Sequence, residues 1–274
     1  MKSNYEIKII ISLTVIIAII LMSIFAPLLT KHDPTKINMS RKLEPMSEEY
    51  IFGTDSLGRD VFSRIAYGGR LSMIVALASV VISMSLGLIL GLIAGYYGGA
   101  TDKIITYLSN VFQAIPTLSF MIAITGILGT GIKSLLFGLF VTSWAGFSRI
   151  VRVECAKIKK EPFIESMICL GCSDIDIIIK HILPNIMSNM LIIFTTSVGR
   201  SLLTISSLSY IGLGITPPNP DWSVMINDAR MNFRTSPHLI IIPGLFIFTL
   251  IFSINILGNG LRDYFDKRSS EISI

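Results

Sequence analysis

The chain has 274 residues, of which 51% are hydrophobic and only 15% charged, and its mean hydropathy is +0.69. That is too apolar for an ordinary soluble domain, so composition points to an all-α, polytopic membrane protein with about six transmembrane helices. The formal charge of +5 then belongs to lysines and arginines at a cytoplasmic face, because nucleic-acid binding needs a basic face on a soluble fold.

Ile9 to Leu29 is almost unbroken hydrocarbon, about the 20 residues that a helix needs to span a bilayer. It is too long for a signal peptide and lacks a small-x-small cleavage site, so it reads as an uncleaved first span with its N-terminus inside. Thr30 to Arg70 is a polar connection holding seven basic residues, Arg59, Arg64 and Arg70 among them. The positive-inside rule argues against placing it outside, but counting spans back from the polar stretch at Arg149–Pro184 puts it there, and it is also rich in acids. Its segment Phe52-Gly53-Thr54-Asp55-Ser56-Leu57-Gly58-Arg59-Asp60 suits a fixed turn better than a calcium loop, for which no further ligand spacing follows.

Leu71 to Gly95 is the expected second span, with Gly87, Gly91 and Gly95 at four-residue steps that let another helix or subunit approach closely. Ile104 to Leu128 is the third, kinked at Pro116. Asn110, Gln113 and Thr117 near the kink suit either a pore lining or interhelical hydrogen bonds. Ser134 to Ile150 is the fourth span and enters the polar stretch through Trp144, Arg149 and Arg152. Ile186 to Tyr210 is the fifth, with Arg200 inside it; a charge within a span is costly and generally faces a cavity or a partner. Leu239 to Leu257 is the last, flanked by Arg262, Lys267 and Arg268 as a cytoplasmic C-terminus should be. The expected division is therefore 1–70 for the first helix and extracellular loop, 71–262 for the core, and 263–274 for a cytoplasmic tail.

Between spans four and five, Lys157 to Leu170 has the spacing of a short amphipathic helix with Pro162 near its start. Gly171 supplies a left-handed helix end. Ser173 caps a second helix with Asp174 and Asp176 in its first turn, and that helix is expected to stop at Pro184. Cys155, Cys169 and Cys172 with His181 could be imagined as a zinc site, but the Cys-x-x-Cys spacing straddles the glycine break and thiols on a cytoplasmic loop stay reduced. No metal site is assigned to them.

The string Phe163-Ile164-Glu165-Ser166-Met167, three residues, Gly171, nine residues, then His181-Ile182-Leu183-Pro184-Asn185 resembles the cytoplasmic coupling loop of ABC importer permeases. Its ending is similar to the peptide/nickel branch; Ser166 and Met167 stand where the family usually has alanines. The Gly53–Asp60 segment and the stretch from Ser207 through Pro217-Pro218 to Asp221–Arg230 resemble the outer signatures of the same branch. The resemblance implies one permease of a heterodimer in a bacterial cell membrane, with both termini cytoplasmic. Its implied partners are a second permease subunit, two ATP-binding cassette subunits, an extracellular solute-binding protein and membrane lipid, with no nucleic acid. It assigns ATPase coupling to Glu165, Gly171, Ser173, Asp174, His181, Leu183 and Pro184.

The residues agree with that division of labour: no Gly-x-x-x-x-Gly-Lys-Ser/Thr loop occurs, so no nucleotide cofactor is expected here and the energy arrives from another chain. Alternating access about the Gly171 elbow is the implied mechanism. Asn110, Gln113, Thr117, Arg200 and Thr204 are the candidates for the translocation path. The wording of the fifth span, Thr204-Ile205-Ser206-Ser207, where peptide-type relatives often carry a glutamate, and of Val224–Arg230 places nickel or a metal chelate ahead of di- or oligopeptides as substrate. An ion channel or secondary transporter would call for intramembrane acids or internal repeats, and an enzyme for a constellation that His32, His181 and His238 do not form.

Overall fold

The computed structural model describes residues 4–272. These fold into helices α1 (Asn4–Ile24), α2 (Ala26–Leu29), α3 (Val61–Tyr97), α4 (Gly99–Ala114), α5 (Thr117–Leu128), α6 (Ile132–Ile158), α7 (Pro162–Cys169), α8 (Asp174–Ile177), α9 (Leu183–Tyr210), α10 (Trp222–Ala229) and α11 (His238–Ile272). Five segments among the described residues are long and apolar enough to cross a bilayer, or six if α4 and α5 are one crossing. The all-α polytopic expectation therefore holds.

Among the differences from the sequence reading, three have a clear local reason. The second span starts ten residues earlier than Leu71 because Asp60 caps it, accepting from the Phe62 and Ser63 amides; α3 thus runs through residue 70 and is about 55 Å long. The third span is not a kinked helix but two helices bent by 82°. Ile115, held extended by the following proline, and Pro116 both have ψ near 120°, which ends α4 outright. Pro184 does not stop a helix. A π-helical turn over Ile178–Ile182 widens the backbone before it, with the Leu183 amide reaching Ile178 O, and the chain runs helically from Asp174 to Tyr210. The wider turn gives the proline ring room that an α-helical carbonyl four residues back would deny it.

The glycine steps of α3 meet α6. A Cβ on Gly87, Gly91 or Gly95 would lie within 2.5–2.6 Å of Phe147 Cβ, Ser148 O or Arg152 O, so only glycine allows this approach. Around that seam lie two apolar cores. One gathers Ile65, Leu135, Ile205, Leu208, Trp222 and Leu239; the other gathers Phe147, Val151, Cys155, Ile164, Ile177 and Ile182.

The helices also define two ends. α3 begins beside α10, where Trp222 Nε1 donates to Ile65 O at 2.9 Å, and ends beside α8, where Tyr96 Oη donates to Asp174 Oδ1 at 2.8 Å. α1 ends near the first of these, since Arg70 Nη2 donates to Ile24 O at 3.0 Å. At its other extremity Lys8 pairs with Asp263 of α11 at 2.8 Å. Lys8 and Asp263 thus share the end that holds the α7–α8 elbow.

Candidate functional site

The elbow has the glycine-ended helix and the Ser173 cap that its sequence implies, but α7 begins only at Pro162, with Lys157 and Ile158 still in α6. Cys172 N donates to Met167 O at 3.1 Å and Gly171 N to Ile168 O at 3.0 Å, the paired bonds that close a helix through a left-handed residue, and Gly171 has φ +78°. Ser173 accepts from the Asp176 amide and donates to its carboxylate at 2.7 Å, which caps α8. Asp174 does more than favour a helix start: its bond from Tyr96 ties the elbow to α3. Lys159 reinforces that tie by donating to Tyr96 O at 2.5 Å and lying over the Tyr96 ring.

Three fully buried isoleucines, Ile164 on α7, Ile177 on α8 and Ile182 in the π turn, plug the elbow into the core shared by α3, α6 and α9. Leu183 packs against the same core. The outward face is the reverse: Phe163, Glu165, Ile168 and Ile175 are exposed, and Leu170 is 82% exposed. Single exposed apolar residues are ordinary, but here several are gathered on one loop. Pro184 is exposed and His181 half-buried, with Asn185 Nδ2 donating to His181 O at 2.7 Å. Among the cysteines, Cys155 is buried with its thiol on Leu92 O, while Cys169 and Cys172 are exposed.

A second feature lies deeper. The α4–α5 break, α6 and α9 enclose a hollow of about 390 Å³ whose wall includes Gln113, Thr117, Thr142, Ser143, Arg200 and Thr204. Four of the five path candidates therefore meet at one place. Asn110 does not: the turn of α4 before the break carries it into a separate hollow of about 170 Å³ with Ser109, Arg149 and Arg152. Arg200 is the single charged residue of the larger wall, and among the described residues it has no ion pair. Thr142 and Thr196 were not anticipated; hydroxyls within apolar helices are common, and only the fold shows which ones converge.

At the opposite end Asp55, Arg59, Arg64 and Asp228 form a buried ionic cluster. Arg59 Nε meets Asp55 Oδ2 at 2.7 Å and its Nη2 meets Asp228 Oδ2 at 2.9 Å. Arg64, 1% exposed, also binds Asp55 and reaches Asp228 at 3.4 Å. Burial works to raise the Asp55 carboxyl, but the Arg64 and Arg59 guanidiniums hold it below its ordinary value. Gly58 must be glycine, since a Cβ there would sit 1.7 Å from Asn38 O. Beside the cluster, Asp221 caps α10 through the Ser223 and Val224 amides and accepts from Ser72; burial pushes its carboxyl up. Four of the seven basic residues of this loop have partners in the fold: Arg59 and Arg64 are paired within the cluster, Arg41 faces Glu44 and Glu49, and Arg70 closes the end of α1.

The model of the family described as "Binding-protein-dependent transport system inner membrane component" matches residues 87–271, which takes in the elbow, the hollow and α10. The chain belongs to that family. A second model, the N-terminal transmembrane domain of oligopeptide transport permease C, matches residues 9–45 of the permease. It is 37% identical over 254 residues to the glutathione transport system permease protein GsiD of Pectobacterium atrosepticum, covering 92% of this chain and 84% of that one. It is 36% identical over 259 residues to the dipeptide transport system permease protein DppC of Alkalihalophilus pseudofirmus (94% and 85%). With the oligopeptide transport system permease protein OppC of Bacillus subtilis it shares 33% over 258 residues (94% and 85%). In fold the permease is similar to a chain of the inward-facing MetNI methionine ABC transporter, with TM-score 0.56 and 15% identity over 73% of this chain and 95% of that one. It is thus a multi-pass inner-membrane subunit of an ABC importer, which sets aside the channel and secondary-transporter reading.

Proposed function

We propose that this permease forms half of the path by which short peptides, of the glutathione, dipeptide or oligopeptide kind, enter a bacterial cell. The other half comes from a second permease, the energy from two ATP-binding subunits, and the cargo from an extracellular binding protein. The observation that carries the substrate class is the wall of the hollow: beside apolar residues such as Val80, Leu139, Phe147 and Ile193 its polar groups are hydroxyls, one amide and one arginine, with no carboxylate, imidazole, thiol or thioether. Its guanidinium repels a bare divalent cation, and its polar groups offer hydrogen bonds to an amide backbone. The names of the relatives point the same way, so peptide replaces nickel as the favoured cargo. The missing glutamate of the fifth span is a poor guide to cargo, because its place is taken by Ile205, which is fully buried and faces away from the hollow.

The elbow end is the cytoplasmic one. It holds Lys157, Lys159, Lys160 and Lys180 besides Lys8 and Arg262, whereas the clasp neutralises its own arginines. Closure of the ATP-binding subunits pulls on the exposed face of α7 through Glu165 and Leu170. The buried Ile164, Ile177 and Ile182 pass that displacement to α3, α6 and α9, all three of which contribute residues to the wall of the hollow. Uptake of labelled dipeptide and of labelled nickel, in cells with and without this gene, tests the reading. Peptide uptake should vanish on deletion and nickel uptake stay; the opposite pattern would refute it.

A further inference from the structure

Arg200 sits ten residues before the end of α9 on the stripe Thr196, Arg200, Thr204. Arg200 is exposed on this chain, and a charge within a membrane span is costly unless it meets a cavity or a partner. Every other acid near these helices is already engaged elsewhere: Asp102 is clamped by Arg152 and Glu154 accepts from Asn189 at 3.0 Å. The remaining wall has a definite polarity. Thr142 Oγ1 donates to Gly138 O at 2.9 Å, Thr196 Oγ1 to Ile192 O at 3.2 Å and Thr204 Oγ1 to Arg200 O at 3.0 Å. With their protons spent on the helix backbone, these hydroxyls present lone pairs to the hollow. Gln113 Nε2 donates to Ala145 O at 3.4 Å, which leaves its carbonyl as an acceptor too. The hollow therefore has one fixed cation and three threonine oxygens and one amide oxygen turned out as acceptors, while Thr117, Ser143, Ser197 and Ser201 keep hydroxyls that can donate as well as accept.

Resting on the peptide reading above, we infer that Arg200 is a specificity-determining residue that receives the free C-terminal carboxylate of the passing peptide, while the Thr142, Thr196, Thr204 and Gln113 oxygens take its N–H and ammonium groups. A guanidinium and a carboxylate form charge-assisted, two-pronged bonds, and the threonine stripe orders the cargo with its carboxylate toward Arg200. Peptides whose C-terminus is blocked as an amide lose that anchor, and a bare metal dication is repelled.

The test uses the whole importer, reconstituted in vesicles with its binding protein at saturating load, and compares uptake of a dipeptide acid with its C-terminal amide. Arg200→Gln should cut acid uptake about tenfold, the loss of one charge-assisted contact, and lower the acid-to-amide ratio by the same factor; Arg200→Lys should restore part of the ratio. Binding-protein selectivity is common to both variants and cancels. Equal losses for acid and amide, or an unchanged ratio, would overturn the inference while leaving peptide transport intact. Loss of the second permease from purified Arg200→Gln complex would also overturn it, by showing that Arg200 answers a charge on that subunit. A wild-type importer that moves neither peptide would overturn the peptide assignment itself and this inference with it.

Discussion

At the clasp end, Arg59 and Arg64 are 3% and 1% exposed and both find carboxylates within the same chain; at the elbow end, Leu170 is 82% exposed and Glu165 has no ion pair among the described residues. The clasp satisfies itself: loop, α3 and α10 are pinned by two arginines, two aspartates and the Trp222 indole. The elbow satisfies only its inner face, through Ile164, Ile177 and Ile182, and leaves its outer face exposed. A fixed lid at one end and an open handle at the other is what a lever through the membrane requires, since displacement applied at the handle must move helices and not deform the far end.

Breaking the clasp should have the largest effect. Arg64→Met leaves Asp55 and Asp228 half-paired in a buried site, which costs about 3–5 kcal/mol; the thermal midpoint of the purified permease should fall steeply, and an unchanged midpoint would make the cluster ornamental. Leu170→Glu sharpens the comparison from the other side. Because the side chain is exposed, stability should move by less than about 0.5 kcal/mol, yet co-purification of the ATP-binding subunits should drop. Retention of those subunits at the wild-type level would show that this face is not where they dock.

Much of this was legible because it is local. The spans follow from length and apolarity, the α3–α6 seam from Gly87, Gly91 and Gly95, and the elbow from the spacing of Gly171 and Ser173, since a helix end is written within six residues. The clasp was not legible: Asp228 lies 169 and 164 positions from Arg59 and Arg64, and a charge count takes in those arginines without their partners. The 82° break at Ile115–Pro116 and the π turn before Pro184 show the limit of reading proline. The residue says that the backbone must yield, but whether it snaps or widens depends on what packs around it. That choice separates Asn110 from Gln113 and so decides which polar residues share the hollow.

The most direct test of the lever is Gly171→Pro. Proline requires φ near −65° where the elbow has +78°, and it removes the amide that bonds Ile168 O, while nothing lies within 4 Å of the position to be disturbed. With coupling free energies of the usual size, uptake of labelled dipeptide should fall by about tenfold or more, with membrane insertion and the thermal midpoint of the clasp kept. Wild-type uptake by this variant would contradict the account.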